Sequence, residues 1–165
     1  AARRGGRTHP GRRARLGAPM SAPLALRVAR VGGYDGPLPA HQTAGAAGLD
    51  LCAAMPWSLD GFTVQRVPTG IAVEIPRGHV GLIRGRSGLA GRAVLVVEGT
   101  IDEDYRGEVC VMMHALGAAY DVAAGQRIAQ LVIVPYVRCG AVEVPLGELS
   151  VTERGAGGFG STGAA

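Results

Sequence analysis

The sequence contains no lysine: all 17 basic residues are arginine, which we read as coding bias rather than chemistry. No apolar run approaches the ~20 residues that a membrane-crossing helix needs, so no membrane partner is expected. Nor is there a long stretch with a helical period. Instead, 27 Gly and 10 Pro punctuate short apolar runs, the pattern of an all-β chain with many turns. Cysteine is scarce and odd in number: Cys52, Cys110 and Cys139 lie far apart, with no C-x-x-C. That argues against a disulfide framework or a zinc site. Each lies in or beside an apolar run, so small buried residues in a reducing compartment are expected. Acids are absent before Met20, where six arginines (Arg3, Arg4, Arg7, Arg12, Arg13, Arg15) stand. The formal net charge of +4 therefore misleads: the remaining eleven arginines face thirteen acids, a net charge of −2. The globular part lacks the basic face of a nucleic-acid binder, and nucleic acid is not expected as a partner.

At 165 residues the chain is most simply one domain with enough length to bury a core. Residues 1–23 read as a disordered Arg/Gly/Pro-rich extension, too poor in apolar side chains to offset the entropy of ordering. Met20-Ser21-Ala22-Pro23 has the look of a natural start. An Arg-rich mitochondrial presequence and a nucleic-acid-binding arm are the alternatives. Against an amphipathic presequence helix stand Gly5, Gly6, Pro10 and Gly11. The expected location is accordingly cytoplasmic or nuclear, or mitochondrial if the extension is a presequence. A β domain over residues 24–150 and a flexible tail over 151–165 complete the expected organisation.

Within the domain, alternation and short apolar runs mark strands. Leu24 to Val31 reads as a strand with one buried face, and Ala44 to Ala54 as a small-residue strand enclosing a lone acid, Asp50. Val64–Val67 and Ile71–Ile75 read as two short strands around Pro68-Thr69-Gly70. Val80–Ile83, Ala93–Val97, Val109–His114, Gln126–Pro135 and a final Ala141–Val144 follow, with Gly117–Gly125 a turn-rich link.

The chemistry concentrates in a few places. Gly99-Thr100-Ile101-Asp102-Glu103-Asp104-Tyr105-Arg106-Gly107-Glu108 sets three acids and a Tyr between two apolar runs. A carboxylate held on such a strand end is well placed to take a proton from water, although a plain solvated turn reads the same way. Asp50, enclosed in apolar sequence, needs a partner or a cation. In Arg84-Gly85-Arg86-Ser87-Gly88-Leu89-Ala90, Ser87 can N-cap one helical turn over Gly88–Arg92, and with Arg86 and the backbone N–H groups form an anion site. In the strand Gln126–Pro135 the polar Arg127 and Gln130 stand out. The tail formally matches G-x-G-x-x-G over Gly155–Gly160, but no strand-to-helix unit surrounds it and it lacks a P-loop Lys. With Arg154, Phe159, Ser161 and Thr162 it reads as a flap able to order over a phosphate and a base.

Taken together, these stretches resemble the trimeric dUTPase family. Five motifs occur in that family's order: Ala47-Gly48-Leu49-Asp50-Leu51; Gly85-Arg86-Ser87-Gly88-Leu89-Ala90; Gly99-Thr100-Ile101-Asp102-Glu103-Asp104-Tyr105-Arg106-Gly107; Gly125-Gln126-Arg127-Ile128-Ala129-Gln130-Leu131; and Arg154-Gly155-Ala156-Gly157-Gly158-Phe159-Gly160-Ser161-Thr162-Gly163. The resemblance spans Leu24 to Gly163. It implies a β jelly-roll-like subunit with a glycine-rich C-terminal flap, a homotrimer with sites shared between subunits, and Mg2+-assisted hydrolysis of dUTP to dUMP and pyrophosphate. Such an activity keeps dUTP low and supplies dUMP for thymidylate synthesis.

Carried over residue by residue, the resemblance makes Asp102 the water-activating base and Asp50 the acid that holds the metal through water. Arg86, Ser87 and Gly88 bind the inner phosphates, with Gln130 nearby. Arg154, Gly160, Ser161 and Thr162 close on the γ-phosphate, and Phe159 stacks on uracil. Tyr105 packs under the deoxyribose and excludes a 2′-hydroxyl. Backbone of the hairpin before Asp102, including Gly99, Thr100 and Ile101, reads uracil, and Arg106 or Asp104 supports that loop. The segment between Gly88 and Asp102 is slightly shorter than in many members, and Glu98 is unusual there. Two alternatives share the fold: a dCTP deaminase-like enzyme and a non-catalytic dUTPase-like binding or signalling protein. The tail and the Asp102-to-Tyr105 run favour the diphosphatase.

Overall fold

Alternating burial folds the chain into two four-stranded antiparallel sheets whose inner faces share one core. The computed structural model describes residues 24–157; the expected N-terminal extension (1–23) and tail positions 158–165 lie outside the described residues. The first sheet is ordered β1 (Arg27–Arg30), β4 (Gln65–Glu74), β8 (Glu108–Ala115), β6 (Val94–Val97). The second is ordered β2 (Leu49–Cys52), β10 (Arg127–Pro135), β5 (His79–Arg84), β7 (Gly99–Ile101). A two-stranded ribbon pairs β3 (Trp57–Leu59) with β9 (Tyr120–Val122). One helical turn, α1 (Ser87–Ala90), follows β5. The all-β expectation holds.

Period-2 burial builds the core. Val67, Ile71 and Val73 of β4 and Val109, Val111 and Met113 of β8 point inward, as do Leu51, Ile83 and Leu131 of the facing sheet. Each such side chain, removed from water, contributes about 2 kcal/mol. Along β8 the intervening Glu108, Cys110, Met112 and His114 turn outward and keep partial exposure.

Several expectations need correction. Val64–Val67 and Ile71–Ile75 are not separate strands: β4 runs through, with a register break between Pro68 and Ala72. Pro68 has no N–H to donate, so it is accommodated at this irregularity. Gly70 takes φ +68° and donates its N–H to Glu108 Oε1 at 2.7 Å, while the Thr69 hydroxyl donates to Val109 O. The first strand is shorter than expected, at the sheet edge, with Leu24 63% exposed and only Leu26 and Val28 reaching the core. The link Gly117–Gly125 contains β9, whose three residues are too few to show a period.

Ala141–Val144 is not a strand. Among the described residues none beyond Pro135 is in a strand, and Val142, Val144, Leu146 and Leu149 are exposed around a single 3-10 turn at Leu146–Glu148. An extended segment needs a ladder partner, and the described residues supply none there. The cysteines are not buried either. Cys139 is exposed on this segment, and Cys52 and Cys110 are half-buried because they alternate with the core residues Leu51 and Val109. Finally, the segment before Asp102 is no paired hairpin. β6 pairs with β8 and β7 with β5, so the chain passes from one sheet to the other at Glu98. Glu98 ion-pairs with Arg84.

Candidate functional site

One cleft of about 470 Å3 opens where β10 and α1 meet. It is lined by Arg86, Ser87, Gly88, Arg92, Tyr120, Arg127 and Gln130, among others. Three arginines around one hollow form a site for a multiply charged anion. Ser87 is the first residue of α1, not its cap: Arg86 occupies the N-cap position in extended conformation, and no side-chain cap hydrogen bond closes the turn. At the cleft's rim, Gln126 Nε2 donates to the Tyr120 hydroxyl at 3.2 Å.

Asp50 lies behind these groups, 7% exposed. Its buried charge is offset by Arg127 Nη1, 3.1 Å from Oδ2, and by Arg86 Nε, 3.5 Å from Oδ1. Arg86 Nη1 also donates to the backbone oxygen of Arg127 at 2.9 Å. Pairing explains the meeting. Asp50 on β2 stands opposite Gln130 on β10, Leu51 opposite Ala129, but Cys52 opposite Arg127. Ile128 is thus an extra residue, a β-bulge. It sends Ile128 into the core, 0% exposed. Arg127 and Gln130, three apart and on opposite faces of a regular strand, both reach the site. Gly48 permits Gln130 its position, since a Cβ there would lie 2.6 Å from Gln130 Oε1. The Cys52 thiol, on the same face, is pushed up by burial and by the Asp50 charge.

A second cleft of about 480 Å3 is lined by Val80, Thr100, Asp102, Glu103, Asp104, Tyr136 and Arg138. Asp102 begins a turn in which Tyr105 N–H donates to its carbonyl at 3.2 Å. Arg106 Nη1 donates to the carbonyls of Glu103 (2.7 Å) and Tyr105 (2.8 Å), so it braces the turn after Asp102 and not, as expected, the segment before Asp102. Glu103 Oε2 accepts from Gly78 N–H at 2.5 Å. The Tyr105 hydroxyl donates to Glu108 O at 3.0 Å with the ring folded over Gly107, which has no Cβ to obstruct it. Burial, then the Glu103 charge, raises the Tyr136 hydroxyl above its usual range.

The residues expected at the site fall into separate groups. Arg86, Ser87, Gly88 and Gln130 line one cleft, with Asp50 bonded to its arginines. Thr100 and Asp102 line the other, with Gly99 and Ile101 flanking Thr100 in β7; the Ile101 side chain belongs to the core, leaving only its backbone for a ligand. Tyr105 stands beside Asp102, 42% exposed. Arg154 donates from Nε to Gly157 O at 2.9 Å within its own turn and lines neither cleft. Phe159, Gly160, Ser161 and Thr162 lie outside the described residues.

The two clefts are far apart in one chain. β7 is antiparallel to β5, with Ile101 opposite Gly81, so Asp102 falls near the level of Val80. Asp50 lies at the level of Gln130 and hence of Arg84. That offset is about 13 Å along the strands and, across three strand spacings, about 14 Å sideways. Among the described residues, no hydrogen bond or ion pair links Asp102 to Asp50, Arg86 or Gln130.

Sequence reasoning missed Arg92, Tyr136 and Arg138 as lining residues and did not assign Arg127. The first three carry no motif signal. Arg127 was conspicuous as a charge within an apolar strand, but its placement depends on the bulge.

The dUTPase family model matches residues 35–163. A deoxyuridine 5'-triphosphate nucleotidohydrolase of Methylocella silvestris is 53% identical over 155 residues, covering 88% of this chain and 96% of the relative. One from Rhizobium meliloti is 52% identical over 135 residues, covering 76% and 82%. Among solved structures, the dUTPase of Staphylococcus bacteriophage 80alpha with dUpNHpp superposes with TM-score 0.77 at 29% identity, covering 85% of this chain and 99% of that one. A mutant dUTPase of Staphylococcus aureus phage phi11, described with a structural Mg(II) ion, shares the fold with TM-score 0.68 at 24% identity, covering 76% and 100%.

Proposed function

Because the chain belongs to the dUTPase family, we propose that its two clefts are halves of one active site, joined only when copies assemble as a homotrimer. The activity is that of a deoxyuridine triphosphate nucleotidohydrolase. The carrying observation is the separation of Asp102 from Asp50 and Arg86 along and across the second sheet. A base and a phosphate cradle so far apart in one chain do no chemistry together. Exposed apolar surface supports assembly. Leu95 (41%), Val97 (46%) and Met112 (38%) share the outer face of the first sheet, and Val142, Val144 and Leu146 stand uncovered on the C-terminal arm.

In this reading water attacks the α-phosphorus in line, and its proton passes to the Asp102 carboxylate. The bond from the α-phosphorus to the bridging oxygen breaks, and pyrophosphate departs. Arg86, Ser87, the Gly88 backbone and Gln130 of another copy hold the phosphates and take up developing charge. Tyr105, fixed by its bond to Glu108 O, packs under the deoxyribose. Uracil is read by the backbone of Gly99–Ile101, as a single strand edge instead of a hairpin. The tail, with Arg154, Phe159, Gly160, Ser161 and Thr162, closes over the nucleotide.

The donor set fits Mg2+. Among the described residues no three His, Cys, Asp or Glu cluster, which argues against an all-protein metal cage. One inward carboxylate, Asp50, suits an ion that keeps waters and takes other ligands from phosphate oxygens. When bound, such an ion neutralises phosphate charge.

Hybrid trimers test the reading. Asp102→Asn and Arg86→Gln are each expected to be inactive. Unfolded together, mixed equally and refolded, they should regain about a quarter of wild-type dUTP turnover, the share of sites with an intact half from each parent. Hybrids that remain inactive while refolded wild type recovers would overturn the shared site.

A further inference from the structure

Asp50 has two cationic neighbours, and they are not equivalent. The Arg127 contact, 3.1 Å to Oδ2, is a hydrogen-bonded ion pair; that of Arg86, 3.5 Å to Oδ1, is looser. Arg86 has a second anchor, its bond to the Arg127 carbonyl. The bulge at Ile128 brings Arg127 to this face, so side chain and carbonyl act together. A carboxylate only 8% exposed is not left without a counter-charge. Were Arg86 its only partner, moving that guanidinium to a phosphate would strand the charge.

We infer that Arg127 is a positioning residue that neutralises Asp50 and thereby releases the Arg86 guanidinium from the carboxylate to the phosphates of the incoming nucleotide. The inference rests on the proposed phosphate-binding role of this cleft. Arg127 need not touch the nucleotide. Its side chain keeps Asp50 oriented through Oδ2, while its carbonyl guides Arg86 as it exchanges one anion for another.

The test is a double-mutant cycle read by binding, in EDTA, of the non-hydrolysable imido analogue dUpNHpp to the full chain by calorimetry. Arg127→Gln leaves Asp50 to hold Arg86, and affinity should fall about tenfold or more, the scale of one charge-assisted hydrogen bond. Asp50→Asn alone should bind at least as well as wild type, because nothing then detains Arg86. The decisive variant is Arg127→Gln with Asp50→Asn. Its affinity should return to within about threefold of Asp50→Asn, a coupling that independent sites do not show. A direct phosphate contact by Arg127, or a merely structural role, predicts no recovery.

Should Arg127→Gln not fold, Arg127→Met, which also removes the charge, completes the same cycle with and without Asp50→Asn, with the same loss and recovery. The inference is overturned if Arg127→Gln, or Arg127→Met in its place, binds like wild type, or if the double variant binds as weakly as the arginine variant alone. Wild type that fails to bind the analogue even with Mg2+ would overturn the proposed function, and this inference with it. Wild-type binding with an uncoupled cycle overturns this inference alone.

Discussion

Gly48→Ala is a one-carbon change whose consequence comes from the packing around Gln130. A Cβ at position 48 would lie 2.6 Å from Gln130 Oε1 and 2.9 Å from Gln130 Cβ. The amide can swing away, but the second contact is with the stem, which moves only with β10. The backbone at Gly48 is itself held, its carbonyl 2.9 Å from His41 Nδ1. Relaxation is therefore shared between a displaced Gln130 and a shifted strand, and overpacking of this kind costs about 1–3 kcal/mol. For a chain of this length each kcal/mol lowers Tm by about 2–4 °C, so a fall of about 2–12 °C is expected at fixed protein concentration. Gln130 should leave the cleft, and losing a hydrogen bond to a charged phosphate weakens nucleotide binding about tenfold. Scanning fluorimetry and dUpNHpp titration read the two effects. Adding Gln130→Ala separates them: it removes the amide clash but leaves the 2.9 Å contact, so Tm recovers in part and affinity not at all. A Gly48→Ala protein with wild-type Tm and affinity would refute the close packing of Gln130 on Gly48.

Three further outcomes are expected. From the proposed role of its ring as a steric barrier, Tyr105→Ala should raise the UTP to dUTP ratio of kcat/KM about tenfold or more; an unchanged ratio removes Tyr105 as the sugar gate. Deleting residues 154–165 should leave the proposed trimer folded in sedimentation, because the last described strand ends at Pro135. It should lower kcat about a hundredfold through lost closure over the pyrophosphate, and normal turnover would reduce the tail to a terminus. Asp60 accepts hydrogen bonds from the Thr63 hydroxyl and from the N–H groups of Phe62 and Thr63, which hold its carboxyl well below the usual range. Its folded pKa being lower than its unfolded one, the unfolded chain binds more protons between the two, and this stabilisation is lost as pH falls through the folded value. Asp60→Ala should therefore lower Tm at pH 7 and less so as the solution is acidified; a Tm difference independent of pH would contradict it.

The amino-acid sequence by itself determined the fold class and the order of the motifs. Gly- and Pro-bounded apolar runs with period 2 can bury their faces only as paired sheets, and the five motifs are local strings that need no folding to be read. It also located Asp50 as a buried charge in want of a partner, because an acid within an apolar strand is conspicuous whatever it pairs with. What that partner is, only the tertiary structure decided. Arg127 is distant in sequence from Asp50, and strand alternation sets it on the face opposite Gln130; the extra residue at Ile128 reverses this. Ladder pairing also decided that Gly99–Ile101 joins β5 instead of folding back on Val94–Val97, and that Ala141–Val144, extended in pattern, finds no partner among the described residues. The separation of Asp102 from the arginine cleft is likewise a matter of register. The first and third motifs, which carry Asp50 and Asp102, became opposite edges of one sheet, because a strand's neighbours are set by which hydrogen bonds and buried faces can be satisfied together, a non-local condition that no single stretch of sequence contains.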